Sequence, residues 1–190
     1  MEVQELTKQF PHLETERLYL RQLSSSDAKD VFEIFSDEEV TKYYDLTTFT
    51  SIERAERFIN RMNEKFATNE GIRWAIALKS TNRLIGTCGY NAVYSSNRHR
   101  RAIIGYELKR EHWRQGYMSE ALHATSEYGF GDLQLNRLEA LVLPGNERSF
   151  QVLSKLGFVA EGILREYGFW ENKFWDMRCF SLLKREWQSR

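Results

Sequence analysis

The sequence predicts an α/β domain, of the α+β kind in its first half, built on a mixed, mostly antiparallel sheet. Three observations lead there. The apolar period switches from helical to alternating near residue 74. Two alternating runs flank the polar turn Thr81-Asn82-Arg83, which reads as a hairpin. The second half then alternates helix and strand, as a parallel crossover requires, whereas the first half lacks the regular βαβα order of a doubly wound fold.

Taken in order, residues 1–13 read as a lead-in, and Leu18-Tyr19-Leu20 as a short strand. Ser26-Asp27 opens a helix whose inward positions are Ala28, Val31, Phe32 and Phe35. A second helix follows Ser51, with the stripe Ile52, Ala55, Phe58, Ile59, Met62 and Phe66. Strands are expected over Trp74–Leu78, Leu84–Tyr90 and Ala102–Leu108, with Asn91–Arg100 as a polar loop. Helices over Met118–Tyr128 and Glu147–Leu156 enclose a strand at Arg137–Leu143, and Gly157 stops the second helix. Phe158-Val159 opens another strand, and Phe174–Leu182 closes the sheet against it.

A chain of 190 residues is about one domain at roughly 150 residues per domain. Pro11 and Pro144 are its prolines, and no linker, repeat or low-complexity tract divides it, so 1–190 is read as a single domain. The 27 basic residues cancel the 27 acidic ones, which leaves no footprint for strong nucleic-acid binding. The run Arg98-His99-Arg100-Arg101 reads as a solvated loop, with contact to an acidic or ribosomal surface as the alternative. No apolar stretch is long enough for a membrane helix, and Met1-Glu2-Val3-Gln4-Glu5 opens no signal peptide, so a cytoplasmic location and no membrane partner are expected. Cys88 and Cys179 read as buried thiols of a reducing compartment. His12, His112 and His123 have no zinc spacing, so no metal is expected. A homodimer is kept among the expected partners.

The chemistry concentrates in Trp113-Arg114-Gln115-Gly116-Tyr117-Met118-Ser119-Glu120-Ala121, between a strand and an amphipathic helix. A glycine turn at a helix start aims backbone N–H groups and the helix dipole at one point, which suits a phosphate or pyrophosphate. Gly116 lets an anion approach without a Cβ in the way, and Arg114 adds charge. A plain turn beside a solvated arginine is the competing reading. No Gly-Lys-Ser/Thr follows, so this is not a Walker loop, and Gly129-Phe130-Gly131 ends a helix instead of opening one.

Three ordered blocks resemble the GNAT superfamily of N-acetyltransferases, closest to its RimJ/RimL-type branch, which acetylates the N-terminal amines of ribosomal proteins. They are Thr15-Glu16-Arg17-Leu18-Tyr19-Leu20-Arg21; Ile104-Gly105-Tyr106-Glu107-Leu108 with Trp113–Ala121; and Arg137-Leu138-Glu139-Ala140, Asn146-Glu147-Arg148-Ser149 and Lys155-Leu156-Gly157-Phe158. The resemblance implies a GNAT-like three-layer fold with helices on both faces of the sheet. It implies acetyl-CoA as cosubstrate, held by Leu108, Arg114, Gln115, Gly116, Tyr117, Met118, Ser119 and Asn146. The acceptor it implies is a primary amine: the N-terminal α-amine of a protein or peptide, a ribosomal one in this branch. A small-molecule amine (polyamine, amino sugar, amino acid) and a non-catalytic CoA-binding module are the alternatives. Met118 stands where the superfamily usually has Gly or Ala, so its side chain must turn away from the pyrophosphate. Leu153 stands where many relatives carry a tyrosine that acts on the leaving thiolate.

Acetyl transfer needs a neutral amine. A peptide α-amine, with a pKa of roughly 7.7–8.0, needs only a modest base. The oxyanion of the tetrahedral intermediate needs fixed N–H donors, and the resemblance places a splayed strand beside the one ending at Leu108. The catalytic candidates implied are Glu107, Glu166 and Ser149. Glu107 is either the base or a surface carboxylate paired with Lys109 or Arg110. Glu166, followed by Tyr167 as in the nearest branch, is favoured over Glu107 as the base, or is a loop charge beside Arg165. Ser149 is either a donor to the leaving sulfur or a helix-cap partner, and Asn146 either contacts the pantetheine or caps the same helix. Tyr43 and Tyr44 read as acceptor-cleft lining or core; Trp113, Phe169, Trp170 and Trp175 as packing or substrate wall.

Overall fold

The computed structural model describes residues 9–96 and 99–189. Its strands are β1 (Leu13–Glu14), β2 (Leu18–Gln22), β3 (Ile72–Leu78), β4 (Leu84–Ser96), β5 (His99–Leu108), β6 (Arg137–Val142), β7 (Val159–Trp170) and β8 (Lys173–Leu183). Its helices are α1 (Ala28–Phe35), α2 (Glu38–Thr41), α3 (Ile52–Ala67), α4 (Tyr117–Gly131), α5 (Glu147–Lys155) and α6 (Lys184–Gln188). The strands form one sheet in the order β1-β2-β3-β4-β5-β6-β8-β7. Every neighbouring pair is antiparallel except β5–β6, which α4 connects as a parallel crossover.

The two faces are covered by different helices. Val31, Ile34 and Phe35 of α1 and Ala55 and Ile59 of α3 pack with Ala75 and Leu84 on one face. Ala121 and Leu122 of α4 and Leu153 of α5 pack with Ile72, Trp74 and Ile76 on the other. β3 is therefore buried on both sides, which explains its nearly unbroken apolar run. Trp74 anchors the second core: its ring meets Tyr90 and Tyr128 edge-on, at centroid distances of 5.5 and 5.7 Å, and its indole N–H donates to the Pro11 carbonyl at 2.7 Å. Helices on both faces of one mixed sheet give the three-layer arrangement that the resemblance implied.

Within the expected polar loop at 91–100, residues 91–96 instead continue β4 and residues 99–100 open β5. Ala92, Val93 and Tyr94 pair with Ile103, Ala102 and Arg101. The Arg101 guanidinium stacks 4.2 Å from the Tyr94 ring centre and binds Glu139, so cross-strand contacts outweigh the polar composition. Within the basic run, Arg98 lies outside the described residues, and Arg101 is bound to protein side chains. The lead-in falls partly outside the described residues; Leu13 and Glu14 of it form β1. α2 and α6 were too short to leave a periodic signal.

Two irregularities prepare the site. Parallel pairing of β5 with β6 ends at Ile104–Ala140, and beyond it Gly105–Leu108 pair only with β4. The strands splay there, which frees backbone groups at the C-terminal end of β5. Opposite the splay, β4 carries a bulge between Tyr90 and Ala92 that sets Asn91 out of register.

Candidate active site

The splay opens into a cleft of about 820 Å³. Its walls come from α2 and the loop after it, from the C-terminal part of β5, from the α4 start, from α5 and from the β7–β8 hairpin. Alternation along β5 divides its functions between the two faces of the sheet. Tyr106 projects to the α4–α5 side and Glu107 to the α1–α3 side, and both line the cleft.

On the α4–α5 side, Gly116 is the N-cap of α4, with φ of +84°, and Arg114 before it has φ of +62°. Both are left-handed, a conformation that glycine adopts without a Cβ penalty. The turn leaves the first N–H groups of α4 without partners inside the helix. Three contacts hold it. Trp113 donates to the Leu108 carbonyl at 2.8 Å, the Arg17 guanidinium donates to the Gln115 carbonyl at 3.0 Å, and Arg17 also pairs with Glu120 at 2.6 Å. Among the described residues, the one atom within 4 Å of a β-carbon built at Gly116 is Arg17 Nη2, at 3.3 Å. A cradle open toward solvent, rimmed by a cation and free amides, fits a pyrophosphate. Arg114, Gly116, Tyr117, Met118 and Ser119 line the cleft; Gln115 does not, and its side chain is bound to the Glu111 carbonyl. The Met118 side chain turns into the core.

Next to this loop, Asn146 Oδ1 accepts from the Ser149 N–H at 3.2 Å and caps α5. The Ser149 hydroxyl is thereby free of capping, and it meets the Tyr106 hydroxyl at 2.6 Å. Burial pushes the Tyr106 phenol well above its ordinary range, so it remains a proton holder. Leu153, where relatives carry a tyrosine, is fully buried; a phenol instead reaches Ser149 from β5.

The α1–α3 side holds a polar cluster that sequence reasoning largely missed. Glu107 is almost wholly buried and ion-paired with Arg73, which removes the alternative of a surface carboxylate paired with Lys109 or Arg110. Lys109 is taken by Asp30 and Glu33, each at 2.7 Å, and Arg110 by Asp37 at 3.0 Å. The Thr87 and Tyr44 hydroxyls also donate to Glu107. Burial works against the Arg73 charge, and the Glu107 carboxylate together with the Tyr44 oxygen more than offsets it, holding the guanidinium above its ordinary range. Burial and the Glu107 charge likewise push the Tyr44 phenol up, so it stays a donor. The one available signal was a lone arginine inside the apolar run Ile72–Leu78.

Glu166 sits differently. It is exposed, has φ of +52° in an irregular stretch of β7, and donates its N–H to Asp176 at 2.8 Å. The cleft lining includes Tyr167, Phe169 and Trp170 but not Glu166. Tyr43 and Tyr44 line the cleft as well; Trp175 stacks on Trp170 with ring centres 5.3 Å apart. Among the described residues no cluster of His, Cys, Asp and Glu is placed to hold a metal, and no helix is long and apolar enough to cross a membrane.

This fold and cleft define an acetyltransferase, and the chain belongs to the GNAT family: the acetyltransferase (GNAT) domain matches residues 17–159. It is 43% identical over 175 residues to the "Uncharacterized N-acetyltransferase YoaA" of Bacillus subtilis (strain 168), covering 92% of this chain and 98% of that one. A GNAT-family acetyltransferase from Bacillus anthracis superposes with a TM-score of 0.80 at 28% identity, over 93% of this chain and 100% of that one. A ribosomal-protein-S5-alanine acetyltransferase from Vibrio fischeri superposes with a TM-score of 0.78 at 25% identity, over 93% and 98%.

Proposed function

We propose that the protein moves an acetyl group from acetyl-CoA to the N-terminal α-amine of a protein or peptide, a ribosomal protein being the acceptor class of the Vibrio fischeri relative. The observation that carries this reading is the division of β5 across the splay, with a hydroxyl pair on one face and a carboxylate on the other. Acetyl-CoA supplies the acetyl group as a thioester.

The residues then have separable tasks. The amides of the α4 start and Arg114 hold the pyrophosphate, with Ser119 and Asn146 beside them. The unpaired N–H groups of the splay stabilise the oxyanion. Glu107 receives the proton that the attacking amine must lose as the C–N bond forms; Glu166, outside the lining, is the weaker candidate. Ser149, held by Tyr106, donates to the sulfur as the C–S bond breaks. A thiol with a pKa of about 8.5 leaves readily as thiolate near neutral pH, so Ser149 orients the sulfur and need not act as a strong acid.

The test is a competition. Peptides beginning with Ala or Ser are acetylated faster than the same peptides blocked at the N-terminus and carrying Lys. Equal or faster acetylation of Lys, or activity on polyamines alone, removes the α-amine assignment. Mass spectrometry of cellular proteins and metabolites, with and without the enzyme, then identifies the acceptor.

A further inference from the structure

Glu107 is built into the sheet by a specific arrangement of neighbours. The register sets Ala75, Thr87 and Glu107 in one row across β3, β4 and β5, and Arg73, Gly89 and Gly105 in the next row on the same face. Arg73 therefore lies across glycines and reaches β5 unobstructed. A β-carbon at Gly105 would come within 2.5 Å of the Asn91 amide nitrogen and 3.0 Å of Arg73 Nη1. Asn91 takes part only because the β4 bulge displaces it from the regular ladder.

Every nitrogen of the guanidinium is engaged. Nε donates to Thr87 at 2.7 Å, Nη1 to Asn91 Oδ1 at 3.0 Å, and Nη2 to Tyr44 at 3.0 Å and to Glu107. The Thr87 hydroxyl in turn donates a hydrogen bond to the other oxygen of Glu107. Tyr44, Asn91 and Glu107 face the cleft, whereas Arg73 does not line it. A buried cation that divides its donors among Thr87, Asn91, Tyr44 and Glu107, across a gap kept open by a glycine, is more than charge balance: a hydrophobic pair of equal volume often stabilises a core as well or better.

We propose that Arg73 is a positioning residue for acetyl transfer, fixing the direction in which Glu107 presents its carboxylate to the amine. This rests on the reading of Glu107 as the proton acceptor. Thr87 and Asn91 fix the plane of the guanidinium, and Arg73 with Tyr44 fixes the carboxylate.

The test measures kcat and KM, on the fastest of the peptide, Lys and polyamine acceptors, for Glu107→Gln, Arg73→Met, Arg73→Lys and the double variant Glu107→Gln/Arg73→Met. Circular dichroism checks folding, and calorimetry gives the acetyl-CoA affinity. Arg73→Met lowers kcat at least about tenfold, the low end for a displaced general base. Acetyl-CoA affinity changes less than about twofold, because Arg73 lies on the opposite face from the coenzyme loop. In the Glu107→Gln background the same change costs less than about threefold, since two residues that act as a unit are not additive. Arg73→Lys, which keeps the charge and loses the fork, lies between wild type and Arg73→Met.

Equal fold losses in the two backgrounds, or full kcat in Arg73→Met, overturn the proposal. If Glu107→Gln keeps full kcat, the proton-acceptor reading falls, and a loss in Arg73→Met then also refutes action through Glu107. If Glu107→Gln loses rate and Arg73→Met does not, this inference alone falls. Should both Arg73 variants fail to fold, Thr87→Val takes their place: it lowers kcat in the wild-type background more than in Glu107→Gln, and equal losses count against the proposal.

Discussion

Glu107 and Tyr106 are adjacent in sequence and serve opposite faces of the sheet, so substitutions at the two should separate. Glu107→Gln is expected to lower kcat at least about tenfold with little change in acetyl-CoA affinity, the contribution of a positioned base. Glu166→Gln, outside the cleft lining, leaves kcat near wild type. Ser149→Ala costs less than Glu107→Gln, because the thiolate leaves readily unaided. Steady-state kinetics on one acceptor peptide ranks all three, and a larger effect at Glu166 than at Glu107 would reverse the assignment. At the loop, Gly116→Glu places a carboxylate against the phosphates and forces a side chain onto a φ of +84°. Calorimetry should detect no acetyl-CoA binding by this variant; unchanged affinity would remove the pyrophosphate assignment.

Two short segments set how firmly these groups are held. The cap of α5 is a single hydrogen bond from the Ser149 N–H to Asn146 at 3.2 Å. Asn146→Ala should destabilise the protein by about 1 kcal/mol, the usual value of an N-cap, read as a lowered denaturation midpoint. The turn between β2 and α1 rests on Asp27, bound by Arg21 in two hydrogen bonds of 2.8 Å and by Ser24. Burial raises the Asp27 carboxyl, but the bonds from Arg21 and Ser24 outweigh it and hold the group below the usual carboxylate range. A carboxyl lowered in the folded state stabilises fully above its unfolded pKa of about 3.9, and that contribution is lost as the pH falls through the folded value. Asp27→Asn should therefore cost about 1.5–3 kcal/mol at neutral pH, with the gap from wild type narrowing in urea titrations as the pH falls below the unfolded value of about 3.9.

At the scale of the whole molecule, the cleft joins elements far apart in the chain, from the loop after α2 to the β7–β8 hairpin. A ligand bound across it links both cores and stabilises only the folded state. Acetyl-CoA at about a hundred times its Kd contributes about 2.7 kcal/mol. For a chain of this size that is a rise in Tm of roughly 5–10 °C. Thermal denaturation with and without acetyl-CoA measures it, and Gly116→Glu should show no rise. The thiols should be silent in such experiments: Cys88 is fully buried, and burial pushes it up to about 12.

Local pattern alone determined the two amphipathic helices before the sheet, the alternating strands around Thr81–Arg83 and the Gly116 turn, because period and glycine placement are encoded within a few residues. The same local information identified the family blocks and brought Glu107, Ser149 and Asn146 into view. Tertiary structure alone decided where those residues stand and what they touch. Arg73 reads locally as an interruption in a strand, and only the register across β3, β4 and β5 brings it to Glu107. The choice between Glu107 and Glu166 as cleft groups depends on where β7 folds relative to the splay, a placement that the residues around either glutamate do not encode. The polar stretch after Tyr90 became a strand because its partners beyond residue 100 offered ladder bonds and cross-strand packing, which no reading of its own composition contains.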